Sequence, residues 1–280
     1  MQGQLSIGDV LQTSLTVIQR NVGTFLLLIA IIVVPNIVLT IGSGVLMHFM
    51  MPELLPPAGT VPNPEAMLQQ LSQNMVVILP IYFLTILVLT VTYAIAQAGM
   101  TFTTVEHMAG RTANALSALT AASRSIVSLL VASFLVGFVT MIGSLMCIVP
   151  GVFAVLFFCL TAPAILVERL GPIAGMQRSI ELTEGHKLNI FLIFLVFFVA
   201  VMVLSFCVIA PVNMALTLAT LTPGTMPDPL GPGQIVANLL STIINGALSA
   251  FATTTVAVIY AKIRGIRDGV DAEAFARVFA

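Results

Sequence analysis

Charged residues are so widely spaced along this chain that five long segments contain no Asp, Glu, Lys or Arg. A helix that crosses the hydrocarbon core of a bilayer needs about 20 apolar residues, and each segment exceeds that length. Only 8% of the 280 residues are charged and 59% are hydrophobic, so a soluble fold could not cover its apolar surface. Lipid must therefore surround much of the chain. The charge-free segments are residues 21–52, 66–105, 125–167, 188–227 and 229–261.

The segment 125–167 is long enough for two spans, and its Pro150-Gly151 pair is a turn signal near the middle. Dividing it there predicts six transmembrane helices arranged as three hairpins. The predicted fold class is an all-α polytopic membrane protein, with residues 1–280 forming a single integral membrane domain. The predicted spans are about 23–49, 75–103, 126–147, 150–167, 188–213 and 234–261.

Three short segments that precede the first, third and fifth spans are predicted to be interfacial amphipathic helices, at about 6–19, 112–124 and 172–184. In the first of them, Ile7, Leu11 and Leu15 recur at helical spacing. This helix lies either in the membrane interface or, solvated, against the spans, and both placements remain open. The recurrence of helix, span, turn and span predicts three similar hairpin units.

Basic residues are confined to one side of this predicted topology, and the other side carries only the acids Glu53, Glu65 and Asp228. The positive-inside rule then places both termini in the cytoplasm, in a multi-pass protein of a bacterial-type inner membrane. The ten basic residues are Arg20, Arg111, Arg124, Arg169, Arg178, Lys187, Lys262, Arg264, Arg267 and Arg277.

The segment from Glu168 to Lys187 holds seven of the 24 ionisable side chains and lies between two charge-free runs. Gly171-Pro172 is typical of a helix end followed by a helix start, and Gly185 is placed to end the second helix. The segment is therefore predicted to be a cytoplasmic interfacial joint between two hairpins.

This segment reads E-R-L-G-P-I-A and then, after three residues, R-S-I-E-L-T-E-G, which resembles the glycerophosphodiester phosphodiesterase membrane-domain family. The resemblance implies a stand-alone six-span membrane region without the catalytic barrel of fused members. No catalytic residue of that barrel has a counterpart here, and Ile180 stands where the family often has an aromatic residue. The residues that match the signature are Glu168, Gly171, Pro172, Arg178, Ser179, Glu181 and Gly185.

Candidate chemistry is sparse. A set of Glu and His side chains on the basic side, which includes Glu106, His107 and His186, could bind a metal or act as acid and base. No ligand motif is present, so paired interfacial charges are the favoured interpretation. Neither a catalytic residue, nor a metal site, nor a cofactor is predicted, and the chain is interpreted as not being an enzyme.

Uncharged polar residues fall within the spans, and the candidates among them are Gln97, Asn213, Asn238 and Asn245. They could line a path for a lipid or a small uncharged solute, as in a transporter or channel. Hydrogen bonding between helices is favoured instead, which predicts that these residues lie in the bundle interior.

The favoured function is a non-catalytic membrane platform that binds anionic lipid or a cytoplasmic partner. Its predicted contacts are Arg124, Arg169, Arg178 and Lys187. Transport is the alternative, and a membrane-embedded hydrolase ranks third. Membrane lipids are the expected partners, nucleic acid is not expected, and a protein partner or homo-oligomer remains open.

Overall fold

Helices account for the architecture of the chain in the computed structural model, which describes residues 6–50, 64–220 and 231–268. These ranges contain no strand. A π-helical turn at Ser205–Ile209 joins the eighth and ninth helices just ahead of Pro211. The α-helices are α1 (Ile7–Arg20), α2 (Val22–Met50), α3 (Pro64–Met108), α4 (Ala115–Met146), α5 (Ile148–Phe158), α6 (Thr161–Glu168), α7 (Pro172–Thr183), α8 (Lys187–Leu204), α9 (Ala210–Thr220) and α10 (Pro232–Asp268).

Six helical segments in the described ranges are long and apolar enough to cross a membrane, which confirms the predicted fold class. Each lies over one predicted span, and most of the ends extend beyond the prediction, by up to eleven residues at the start of the third segment. The segments are Val22–Leu46, Ser72–Met108, Ala115–Met146, Ile148–Glu168, Lys187–Ala219 and Gly233–Asp268.

The described residues form two compact units. The first takes its residues from 1–31, 91–199 and 247–280, and the second from 32–90 and 200–246. Both hydrophobic core clusters lie in the first unit, and the larger one contains the fully buried Tyr260.

The hairpin of α4 and α5 closes at Cys147, where the backbone becomes extended between the two helices. Gly143 and Gly151 let the helices approach, since a Cβ at Gly151 would lie 2.3 Å from Ser144 Oγ. The turn therefore begins at Cys147, a few residues before the predicted Pro150-Gly151 pair.

The predicted interfacial helix at 112–124 is wrong as a separate element, because α4 runs without a break from Ala115 to Met146. Asn114 caps this helix, and its side chain accepts hydrogen bonds from the backbone N–H groups of Leu116 (2.8 Å) and Ser117 (3.1 Å). No Gly or Pro interrupts the sequence between this cap and Gly137, so nothing ends the helix at the membrane boundary.

The other two predicted interfacial helices are present as α1 and α7. Helix α1 packs into the larger core cluster of the first unit through Val10 and also buries Val17, while Leu15 remains 49% exposed. Helix α7 packs Gly175 against Ile165 of α6, places Ser179 at the junction of α5 and α6, and leaves Ile173 exposed.

We expect Gly175→Ala to destabilise the protein, because the added Cβ would lie 2.3 Å from Cγ1 of the buried Ile165. Ile165 is β-branched and 1% exposed, so it has little room to move, and overpacking of this kind costs about 1–3 kcal/mol. Thermal unfolding in detergent measures the effect. The control is Gly137→Ala, a helical position where an added Cβ meets nothing within 4 Å and stability should be unchanged or raised. Equal stability of the two variants would contradict the close packing of α6 and α7.

Candidate functional site

The carboxylate of Glu168, the last residue of α6, is the centre of the charged face. Arg178 Nε donates to both of its oxygens at 3.1 Å, and the Tyr260 hydroxyl donates to Oε1 at 2.8 Å. Arg264 Nε lies 3.7 Å from the same oxygen. A carboxylate at a helix C-terminus meets the negative end of the helix dipole, and these donors offset that unfavourable position. We call Glu168, Arg178, Tyr260, Arg264 and Asp268 the charged joint.

Arg178 connects three acids from three parts of the chain. Besides Glu168, it contacts Asp268 at the end of α10 and lies 3.4 Å from Glu181 Oε2 within α7. Burial disfavours the charged guanidinium, but the hydrogen bonds and charges of Glu168, Asp268 and Glu181 together outweigh burial, so the pKa of Arg178 is raised. Arg178 is therefore charged, and its guanidinium is engaged by acidic side chains of the protein itself.

Ser179 forms hydrogen bonds with backbone groups at a break in the fourth span, where α5 ends and α6 begins. Its hydroxyl donates to the carbonyl oxygen of Phe157 at 2.7 Å and accepts from the backbone N–H of Leu160 at 3.1 Å. Polar backbone groups left unpaired in a membrane are costly, so one buried hydroxyl makes this break tolerable. Ser179, which the sequence analysis placed in the family signature, thus has a structural role.

Two lysines near this region also make contacts between helices. Lys262 of α10 forms an ion pair with Asp9 of α1, and its hydrogen bond lowers the pKa of the Asp9 carboxyl. Lys187 places its ammonium 4.3 Å from the ring centroid of Phe157, a cation–π contact. Helix α1 is therefore joined to α10, and the start of α8 is joined to the end of α5.

A pocket of about 390 Å³ opens beside α4 in the first unit, within the size range of small-molecule sites. Two arginines line it, Arg124 of α4 and Arg169 at the end of α6. We call it the arginine pocket. Four hydroxyl-bearing residues line it as well: Ser117, Thr120, Ser125 and Ser128. Its apolar lining consists of Phe102, Ala121, Leu166 and Leu170.

Arg169 has a left-handed backbone, with φ 53° and ψ 39°. It is the residue that follows α6, and at such helix ends glycine is the usual choice because a side chain strains this conformation. A strained residue whose side chain lines a pocket is a reason to examine that pocket for function.

The structure divides the four predicted lipid contacts into two pairs. Arg178 and Lys187 are occupied by the contacts described above. Arg124 and Arg169 are exposed, and within the described ranges neither guanidinium has an acidic partner. Their two positive charges are therefore available to an external anion.

Glu106 and His107 do not join the charged joint. The Glu106 carboxylate lies 3.9 Å from Arg111, and His107 Nδ1 lies 3.1 Å from the side-chain amide nitrogen of Asn21. His186 contacts the backbone of Glu184. The part of the chain that the structure describes contains no group of three His, Cys, Asp or Glu residues placed to hold a metal ion.

The predicted polar interior is wrong for Gln97 and Asn245, which are exposed. Gln97 lies between the buried Ala96 and Ala98, and Asn245 donates to the backbone of its own helix at Ser241 O, 2.8 Å away. A helix rotates by about 100° per residue, so a buried neighbour leaves the next position free to point outwards.

Asn213 and Asn238 are half-buried in the second unit and take part in hydrogen bonds between side chains. Asn213 of α9 donates to Ser241 Oγ of α10 at 2.9 Å, and Gln234 donates to Asn238 Oδ1 at 3.3 Å. Only the bond between Asn213 and Ser241 joins two helices, because Gln234 and Asn238 both belong to α10.

A model of the family described as "Domain of unknown function (DUF7847)" matches residues 5–263. The chain belongs to this family. The DUF7847 match includes Glu168, Arg178 and both arginines of the pocket. No curated protein and no solved structure matches the chain. The resemblance to the glycerophosphodiester phosphodiesterase membrane-domain family stays a prediction.

We expect Arg178→Ala to lower the thermal unfolding temperature in detergent, because it leaves the Glu168 carboxylate with fewer donors at a helix C-terminus. Hydrogen bonds to charged groups contribute about 1.5–3 kcal/mol, and the side chains of Arg178 and Glu168 are only 21% and 16% exposed. The control is Glu181→Gln, whose side chain is 59% exposed and whose loss should change stability by less than about 0.5 kcal/mol. An Arg178→Ala protein as stable as the control would contradict the central place of the charged joint.

Proposed function

We propose that this chain is a non-catalytic integral membrane protein that binds anionic lipid headgroups on its basic side through the arginine pocket. One observation carries the proposal: Arg124 and Arg169 line one pocket, and within the described ranges neither has an acidic partner. Two uncompensated guanidiniums in one cavity favour an anion as the ligand.

The position of the pocket supports a lipid as the source of that anion. Arg124 directly precedes the charge-free segment 125–167, and Arg169 lies two residues after the end of that segment. Both arginines thus lie at the predicted interface, where the phosphates of a bilayer are found. Phe102, Leu166 and Leu170 add apolar surface suited to the first part of an acyl chain.

The proposed orientation places the pocket at the cytoplasmic leaflet of a bacterial-type inner membrane. The positive-inside distribution of all ten basic residues supports it. The ion pair of Asp9 with Lys262 adds support, because it joins α1 to the end of α10 on one side of the membrane, as an even number of spans requires.

Transport of a lipid or uncharged solute is the less favoured function. Of the four polar residues that suggested it, Asn213 and Asn238 are hydrogen-bonded to other side chains in the second unit. This arrangement supports a structural role for them.

The orientation is tested with Cys147, which is exposed at the turn between α4 and α5. In a Cys159→Ala/Cys207→Ala background, we expect a membrane-impermeant maleimide to label Cys147 in intact cells whose outer envelope has been opened. The matched control moves the single cysteine to Ser123, an exposed position on the basic side, which should react only after the membrane is permeabilised. The reverse labelling pattern would overturn the proposed orientation.

The lipid proposal is tested by native mass spectrometry of the purified chain with anionic and zwitterionic lipids of identical acyl chains. Arg124→Gln and Arg169→Gln should each weaken retention of the anionic lipid about 5- to 30-fold, since each removes about 1–2 kcal/mol of charge-assisted hydrogen bonding. Arg20→Gln is the control, because Arg20 is exposed on the same side and does not line the pocket.

Arg169→Gly separates binding from folding. Glycine relieves the left-handed backbone at this position, so thermal stability should stay the same or rise while anionic lipid is lost. Retention of anionic lipid by both the Arg124→Gln and Arg169→Gly proteins at the level of the Arg20→Gln control would overturn the proposed function.

A further inference from the structure

The hydroxyl groups of the arginine pocket differ in what they can offer a ligand. A hydroxyl has one hydrogen to donate and two lone pairs that accept. Ser117 donates its hydrogen to Asn114 O at 2.7 Å, and Thr120 donates to Ser117 O at 2.9 Å. Both side chains therefore present only acceptor lone pairs to the pocket.

Ser125 and Ser128 differ from these two. Across the described residues, neither hydroxyl has a hydrogen bond to another group, so each keeps a hydrogen to donate. Together with Arg124, they form the part of the pocket that is rich in donors. Because the phosphate oxygens of a lipid are acceptors, this part matches the phosphate.

The two acceptor-only hydroxyls precede this donor-rich part along α4, away from the charge-free run that begins at residue 125. From Thr120 to Ser125 the helix rises about 7.5 Å, which is comparable with the thickness of one headgroup layer. A lipid whose phosphate meets the donors at Ser125 and Ser128 therefore places its headgroup beside Ser117 and Thr120. Those acceptors require a hydrogen-bond donor on the headgroup.

The donor must be uncharged. The ten residues that line the pocket include two arginines and no acid, so an ammonium group would enter a positive field without a counter-charge. A headgroup hydroxyl meets both demands, because it donates to Ser117 and Thr120 and carries no charge.

We infer that the preferred ligand of the arginine pocket is an anionic phospholipid whose headgroup carries hydroxyl groups, of the polyol phosphodiester class. This inference rests on the proposed function and specifies its ligand. The apolar residues Phe102, Leu166 and Leu170 favour the membrane-bound ester over a soluble polyol phosphate.

The test uses the full chain in native mass spectrometry with lipids of identical acyl chains. Phosphatidylglycerol and phosphatidylethanol both carry one negative charge, but only the first has headgroup hydroxyls. We expect phosphatidylglycerol to be retained about three- to tenfold better, the range expected of a neutral hydrogen bond. Phosphatidylserine, which carries an ammonium group, should rank below phosphatidylglycerol, and phosphatidylcholine should rank last.

A double variant tests whether the hydroxyls of Ser117 and Thr120 cause the preference for phosphatidylglycerol. Ser117→Ala/Thr120→Val should reduce retention of phosphatidylglycerol to the level of phosphatidylethanol and leave retention of phosphatidylethanol unchanged, which also shows that the protein is folded. The matched control is Ser123→Ala, because Ser123 is exposed on the same helix, donates to Thr120 O at 3.0 Å and does not line the pocket.

Each of the other outcomes overturns one part of the inference or of the proposed function. Equal retention of phosphatidylglycerol and phosphatidylethanol, both above phosphatidylcholine, overturns the headgroup inference and leaves the proposed function standing. Equal retention of all four lipids overturns both. A preference that survives in the Ser117→Ala/Thr120→Val protein overturns the assignment of the acceptors. Displacement of phosphatidylglycerol by equimolar glycerol 3-phosphate overturns the lipid source of the phosphate.

Discussion

A single carboxylate at the end of a helix organises the charged side of this protein. Glu168 ends α6 at the negative pole of the helix dipole, and it is stabilised by donors from α7 and α10. Arg178, one of those donors, also contacts Asp268 and Glu181. The carboxylate at the end of α6 therefore depends on contacts between residues up to 90 positions apart in the sequence. The charged joint is thus both the centre of the basic side and a fixed support for the strained Arg169 beside it.

The consequence is a division of labour among basic residues that look alike in the sequence. Arg178 and Lys187 stabilise the fold, whereas Arg124 and Arg169 remain available at the pocket. Positive charge at a membrane surface attracts anionic lipid in general, but only a cavity with fixed donors and acceptors can select among headgroups. The proposed lipid specificity depends on that division.

Much of the fold could be predicted because spans follow from charge-free length, and the bounds of α7 follow from Gly171-Pro172 and Gly185. The continuity of α4 was missed, because Arg124 separates a polar stretch from a charge-free run, although no Gly or Pro lies between Asn114 and Gly137. The candidate site was harder to predict from the sequence than the fold. Whether an arginine is paired depends on contacts between distant segments, and neither the Ser179 bridge nor the Tyr260 hydrogen bond leaves a local sequence signal.

The unbroken course of α4 has a mechanical consequence. This helix carries pocket residues near its start and reaches the turn at Cys147 on the opposite side, a rise of about 47 Å without a hinge. On a rod of that length, a tilt of only about 5° displaces the far end by about 4 Å. Under the proposed function, a lipid that tilted α4 at the arginine pocket would also move the turn at Cys147, because no break separates the two ends of this helix.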